Sequence, residues 1–161
     1  ESLNKQMHLI QHLAVENGVA LSYIKPHGAL YHLVCSDEKY AHLLLEFLRE
    51  DMGLMGLPKS VLESVCREQG IEFIPEGFAD RVYEASGNLR KRTLEGSIHT
   101  SFDDIMNQVV GLCNNKVTGF SNERIDVCVD SICFHGDHKN SEKIIQKVVA
   151  ELKNLGVEIR S

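Results

Sequence analysis

The chain has 161 residues, 17 Lys and Arg against 23 Asp and Glu, and a formal net charge of −6. Its isoelectric point of 5.7, with no basic run longer than Arg90-Lys91-Arg92, argues against a nucleic-acid surface, and no apolar stretch is long enough to span a bilayer. At 43% hydrophobic and 25% charged, it is globular material long enough for one domain with its own core, not a disordered tail.

Ser2 to Asn17 reads as a helix. Leu3, Met7, Ile10 and Ala14 recur at helical spacing, Leu9 and Leu13 widen the stripe, and Asn17-Gly18 supplies the stop. His8 and His12 lie four apart without the Glu of an HExxH motif, so they read as solvated side chains and not a metal pair. Val19 to Ile24 is an almost continuous apolar run, the pattern of a strand buried on both faces of a parallel sheet. Pro26 breaks it, and Lys25, His27 and Gly28 then stand together at its carboxyl end. In an α/β sheet that is the end where active-site loops gather, and glycine lets a ligand approach the backbone. The plainer alternative is a strand-to-helix loop whose histidine only bonds the backbone.

Ser36-Asp37-Glu38 opens the next helix, which carries Tyr40, Ala41, Leu44, Leu45 and Leu48 and ends before Glu50-Asp51. Leu54 to Leu57 reads as a short buried strand. Gly53-x4-Pro58-Lys59-Ser60 only approaches a P-loop, because proline replaces its second glycine and removes an amide that would cradle phosphate. A helix with inner residues Val61, Leu62, Val65 and Cys66 stops at Gln69-Gly70, and Ile71 to Ile74 reads as a strand.

That strand delivers Pro75-Glu76-Gly77-Phe78-Ala79-Asp80-Arg81, a second chemically loaded loop. The plainer alternative pairs Asp80 with Arg81 or another neighbour as a structural ion pair, which weighs evenly with a site role for Arg81 and less for Glu76. Val82 to Ser101 is a long connection with turns at Gly87-Asn88 and Gly96, the length of a lid or binding element. Arg90, Lys91 and Arg92 within it read as a solvated surface from which one cation could reach an anionic substrate. A helix spans Phe102 to Asn115, and Ile125 to Phe134 reads as the last strong strand. It ends in His135-Gly136-Asp137, repeating the strand-then-His-Gly pattern of the first loop. If both strands belong to one parallel sheet, His27 and His135 share its carboxyl-end face. His135 and Asp137 suit a proton relay or half of a metal set. Ser141 to Leu155 is the closing helix, with Val157 to Ile159 as a final strand.

Five cysteines, Cys35, Cys66, Cys113, Cys128 and Cys133, are an odd number without a CxxC pair. They read as reduced thiols of a cytoplasmic protein, all but Cys35 in apolar patterns and expected to be buried. Strands and helices alternate throughout, as in right-handed βαβ units. There are about four or five such units, fewer than a complete (β/α)₈ barrel of about 250 residues requires.

Three segments carry a resemblance: Lys25-Pro26-His27-Gly28-Ala29-Leu30-Tyr31, Glu76-Gly77-Phe78-Ala79-Asp80-Arg81-Val82-Tyr83 with Gly87-Asn88-Leu89-Arg90-Lys91-Arg92, and Ile132-Cys133-Phe134-His135-Gly136-Asp137. In this order and spacing they resemble the A subunit of bacterial 5-oxoprolinase, the LamB/YcsF-like family. The likeness runs from the first helix to Gly156. The family's amino-terminal Asp-Leu-Asn-x-Asp-x-Gly-Glu and Gly-Phe-His-x-Gly-Asp segments do not occur in this sequence, so the chain reads as one domain, residues 1–161, forming the C-terminal portion of a barrel.

The resemblance implies an α/β fold, a seven-stranded or incomplete TIM-like barrel of the glycoside hydrolase/deacetylase type. It implies ATP-dependent hydrolysis of 5-oxo-L-proline to L-glutamate with subunits B and C, ATP carrying Mg as counter-ion. For that reaction His27, Glu76, His135 and Asp137 are the candidate catalytic groups, and Lys25, Gly28, Asp80 and Arg81 the candidate substrate contacts; a bound metal is unspecified. His27 and His135 would transfer protons, Asp137 would orient a histidine or water, and Lys25 and Arg81 would hold an anionic group. The alternatives are a metal-dependent deacetylase or amidase and a non-catalytic substrate-binding subunit. An open barrel edge also leads to an expectation of association, as a homo-oligomer or with a complementary chain.

Overall fold

The computed structural model describes residues 2–49, 51–137 and 140–160. Two compact units divide the chain, Glu1–Pro75 and Glu76–Ser161.

The first unit opens with α1 (Ser2–Glu16). Met7 and Ala14 face inward as the periodicity predicts, whereas Leu9, Ile10 and Leu13 are exposed. The apolar stripe is therefore wider than the surface α1 covers among the described residues. β1 (Tyr23–Ile24) is much shorter than the apolar run from Val19 to Ile24 predicts. Val19 is 59% and Tyr23 47% exposed, so the strand is not buried on both faces. The run carries the apolar residues for a two-sided cover, but in this unit β1 is covered on one side only.

Pro26 is buried behind β1, and α2 (Gly28–Ser36) starts at once. Gly28 takes a φ of +59°, a conformation glycine enters without a Cβ clash. α3 (Glu38–Leu45) is capped by Asp37, whose carboxylate accepts from the Lys39 N–H at 2.9 Å. β2 (Gly53–Gly56) is wholly buried, and α4 (Val61–Gln69) lays Leu62, Val65 and Cys66 inward as expected. β3 (Phe73–Phe78) begins in this unit. β1, β2 and β3 pair in parallel, Ile24 opposite Leu54 and Met55 opposite Ile74. Val34, Ala41, Leu44, Leu54, Leu62 and Cys66 form the centre of this unit's core.

In the second unit the end of β3 pairs in parallel with β6 (Ser131–Cys133): Glu76 opposite Ser131, Gly77 opposite Ile132, Phe78 opposite Cys133. The expected loop beginning at Pro75 is thus strand as far as Phe78. The apolar pattern ends at Ile74, but pairing is decided by a partner more than fifty residues away, which local pattern does not register. Gly77 sits where no side chain fits, since a Cβ there would lie 2.8 Å from Leu112 Cδ2 and 3.1 Å from Val129 Cγ1. Gly77→Val is accordingly expected to cost about 1–3 kcal/mol of stability through overpacking, measured as a lower urea midpoint at unchanged m-value.

α5 (Phe102–Cys113) has Ser101 as its N-cap, the hydroxyl accepting from Asp104 N–H at 3.1 Å. The expected strand from Ile125 to Phe134 is two: β5 (Arg124–Asp126), and then β6. β5 is antiparallel to β4 (Lys116–Thr118), an unanticipated strand, with Val117 opposite Ile125. Both strands bury only their central residue, so β4 shows no apolar pattern in the sequence and nothing there marks the end of β5. α6 (Ser141–Asn154) packs Val148 and Leu152 with Ile105, Val109 and Ala79. Residues 157–159 form no strand; Val157 packs against that cluster and Ile159 is half exposed.

The five cysteines are free thiols, but only Cys66 is fully buried, and Cys113 and Cys128 are exposed. Burial, helped by the nearby Glu63, pushes the Cys66 thiol up to about 11. No helix among the described residues is long and apolar enough to cross a membrane.

Candidate active site

In the second unit, the register of β3 and β6 brings two motif segments side by side. Phe78 and Cys133 are partners, and beyond them Ala79 N–H donates to the Cys133 carbonyl at 2.9 Å. The chains leaving this pair carry Asp80 and His135. His135 Nδ1 lies 2.9 and 3.0 Å from the two carboxylate oxygens of Asp80, and its ring stacks on Phe78 at 5.6 Å. Asp80 is 5% exposed, while His135 keeps about a quarter of its side chain in solvent. A carboxylate only accepts, so Nδ1 carries the proton and Nε2 holds the lone pair. This is the arrangement of a general base: ring orientation fixed by Phe78, tautomer fixed by Asp80, one edge accessible.

Asp80 therefore fills the orienting role expected of Asp137. Asp137 instead meets Arg92, Nη1 to Oδ2 at 3.2 Å, in an exposed pair. The hydrogen bond from Arg92 lowers the Asp137 carboxyl below its usual range. Asp137→Asn is thus expected to lower activity far less than Asp80→Asn, a comparison of kcat in two otherwise identical preparations.

Arg81 is 2% exposed. Its Nη2 donates to the Arg90 carbonyl at 2.6 Å and its Nε to the Ser97 carbonyl at 3.4 Å. Burial lowers the guanidinium from its ordinary value, Arg92 adding to the effect and Asp80 opposing it. The expected anion clamp is thus a tie for the connection that follows it. Arg90 is committed as well, to Glu84 Oε1 at 2.7 Å and across the face of Phe120 at 3.5 Å.

Glu76, expected in a loop, is a strand residue 1% exposed. Tyr83, fully buried, accepts from Phe78 N–H at 2.9 Å. Burial, with the Glu76 carboxylate adding, pushes its phenol far above the ordinary range.

The residue the motifs do not reveal is Gln108 of α5, 6% exposed. Its Nε2 lies 2.6 Å from the Phe78 carbonyl, 2.5 Å from that of Arg81 and 3.4 Å from that of Ala79. Its Oε1 faces His99 Nε2 at 3.1 Å, and His99 N–H donates to the Asp80 carbonyl at 2.9 Å. A sequence signal did exist: Gln108 interrupts the inward stripe of Ile105, Val109 and Leu112.

In the first unit, Lys25 is half-buried and His27 exposed. His27 is the extended N-cap of α2 and caps it with backbone alone. The near-P-loop does not fit a phosphate. Ser60 and Glu63 close a variant of the capping box, in which Ser60 Oγ accepts from Glu63 N–H at 3.3 Å and Glu63 Oε2 takes the N–H of Lys59, one residue before the N-cap. A carboxylate thus sits on an amide that would have faced the anion. Among the described residues no three or more His, Cys, Asp or Glu are grouped to hold a metal ion.

Known proteins are similar to this chain in sequence and fold. The 5-oxoprolinase A subunit of Streptomyces griseus subsp. griseus is 36% identical over 148 residues, covering 89% of this chain and 59% of that protein. Its counterpart from Cutibacterium acnes is 29% identical over 164 residues, covering 97% and 64%. The crystal structure of a lactam utilization protein from Thermus thermophilus superimposes with a TM-score of 0.83 at 28% identity, over 93% of this chain and 61% of that one. The chain spans about three-fifths of the length of these relatives. The α/β architecture with parallel strands accords with that neighbour. The LamB/YcsF family model matches residues 1–161, and the chain belongs to the LamB/YcsF family.

Proposed function

We propose that the chain is part of a 5-oxoprolinase, contributing to hydrolysis of the lactam of 5-oxo-L-proline to L-glutamate. The observation that carries this reading is the Asp80–His135 pair on a chain whose relatives bear the name of the 5-oxoprolinase A subunit. Opening a lactam with water requires a proton to leave the attacking oxygen and a proton to reach the departing nitrogen, and one group can carry it between them. His135 Nε2 takes the proton as the oxygen bonds to the carbonyl carbon, Asp80 holds the resulting imidazolium, and the same proton passes to nitrogen as the C–N bond breaks. Glu76, two residues before Phe78 on β3, is a buried carboxylate. Arg92, half exposed and held by Asp137, takes over from Arg81 as the contact for the substrate carboxylate. Lys25, His27 and Gly28 are the candidate residues of the first unit.

The parallel strands and intervening helices are, in this reading, units of a seven-stranded or incomplete TIM-like barrel. ATP and its Mg enter as co-substrate of a complex with subunits B and C. The capping box at Ser60 and Glu63 gives no phosphate cradle, and no step is assigned to nucleotide on this chain. The test is glutamate release from 5-oxoproline by the protein mixed with subunits B and C and MgATP. ATP-dependent release that disappears when the protein is omitted is the expected result. Undiminished release without it would overturn the proposal.

A further inference from the structure

We propose that Gln108 and His99 are positioning residues for His135, acting through the backbone of Asp80; this rests on the reading of Asp80 and His135 as the reacting pair. Four consecutive carbonyls, those of Phe78, Ala79, Asp80 and Arg81, all accept from these two residues. Gln108 takes Phe78 and Arg81 at 2.6 and 2.5 Å and touches Ala79 at 3.4 Å. His99 takes the remaining one through its backbone N–H at 2.9 Å, a bond that substitution leaves in place, so its side chain acts through Gln108 alone. The two are joined to each other, His99 Nε2 to Gln108 Oε1 at 3.1 Å.

The consequence lies in what these carbonyls frame. Phe78 supplies the ring on which His135 stacks, and Asp80 supplies the carboxylate that holds Nδ1. One amide therefore fixes the backbone on both sides of the group that sets the histidine's tautomer. A primary amide suits this task because its nitrogen has two protons to share among carbonyls, while its oxygen accepts the anchoring bond from His99. A carboxylate in its place would repel the same carbonyls, and an aliphatic chain would take their donor away. Gln108 touches no reacting atom, so its effect travels through Asp80.

The test uses three variants of the chain: Gln108→Met, His99→Ala and His99→Gln, the last keeping a side-chain donor. The first readout is the pair of imidazole ¹⁵N shifts of His135, at alkaline pH where the ring is neutral. It reports which nitrogen holds the proton and needs no turnover. The wild type is expected to show the Nδ1–H form alone. Gln108→Met and His99→Ala are expected to show a mixture with the Nε2–H form, and His99→Gln to return most of the way. In the assembled enzyme kcat is expected to fall about 10- to 100-fold for the first two, as for an ångström-scale displacement, with KM within about twofold.

A pure Nδ1–H signature in both Gln108→Met and His99→Ala would overturn the proposal, as would a His99→Gln no better than His99→Ala. If Gln108→Met does not fold, the half-buried His99 pair decides the matter alone. An assembled enzyme without 5-oxoproline turnover would refute the proposed function, while the ¹⁵N shifts would still judge the positioning role.

Discussion

Replacing His135 by glutamine is expected to lower kcat of the assembled enzyme by about 10²–10⁴, the range of general acid–base catalysis, with the fold intact. Glutamine retains a polar tip near Asp80 but cannot accept and return a proton. Asp80→Asn should approach the same loss by a different route. An asparagine amide can donate to Nδ1, which favours the tautomer with the proton on Nε2 and removes the lone pair that faces the reaction. The double variant should be little worse than His135→Gln alone, because the two residues act as one unit and their effects do not add. Initial rates of glutamate formation across the four proteins decide it. Losses that simply multiply would mean that Asp80 and His135 contribute independently, and the dyad reading would fail.

The distinction between Asp80 and Asp137 also shows where sequence reading reaches its limit. Asp137 lies two residues from His135 and offers the nearer carboxylate along the chain. Asp80 lies fifty-five residues away, and only the pairing of Phe78 with Cys133 brings it to the ring. Residue types and helical periodicity are local properties, so the motif segments, most helices and stops such as Gly70 are legible. The lateral order of strands is not local, and the role of each acid depends on it. The same reasoning covers Glu76, where a non-local partner extends the strand past the apolar run, and the split of Ile125 to Phe134 into two short strands. Gln108 differs, because a glutamine among Ile105, Val109 and Leu112 is visible; its carbonyl partners are not. The apolar face of α1 and the run into β1 read as core, yet Leu9, Ile10, Leu13 and Val19 stand exposed. Hydrophobic pattern records a need for cover without saying which residues provide it.

Arg81→Met should be the most destabilising of these substitutions, costing about 3–5 kcal/mol. That figure follows from two carbonyls losing a charged donor, at about 1.5–3 kcal/mol for each such bond, with the longer 3.4 Å contact at the low end. Those carbonyls belong to Arg90 and Ser97, so the damage should centre on the connection between Tyr83 and Ser101. That connection is otherwise pinned by backbone bonds such as Arg90 N–H to Val82 and Val82 N–H to Ser97. Protease digestion under native conditions should therefore cut first between residues 84 and 97 in the variant and spare this segment in the wild type. Arg81→Lys should recover only part of the loss, because one compact ammonium cannot reproduce the planar fork that reaches both carbonyls. These outcomes separate the structural role from the anion clamp that the motif alone suggests. A substrate clamp would raise KM while leaving the urea midpoint and the digestion pattern unchanged. A structural tie would move both, with KM following only as far as the connection and its Arg92 are displaced.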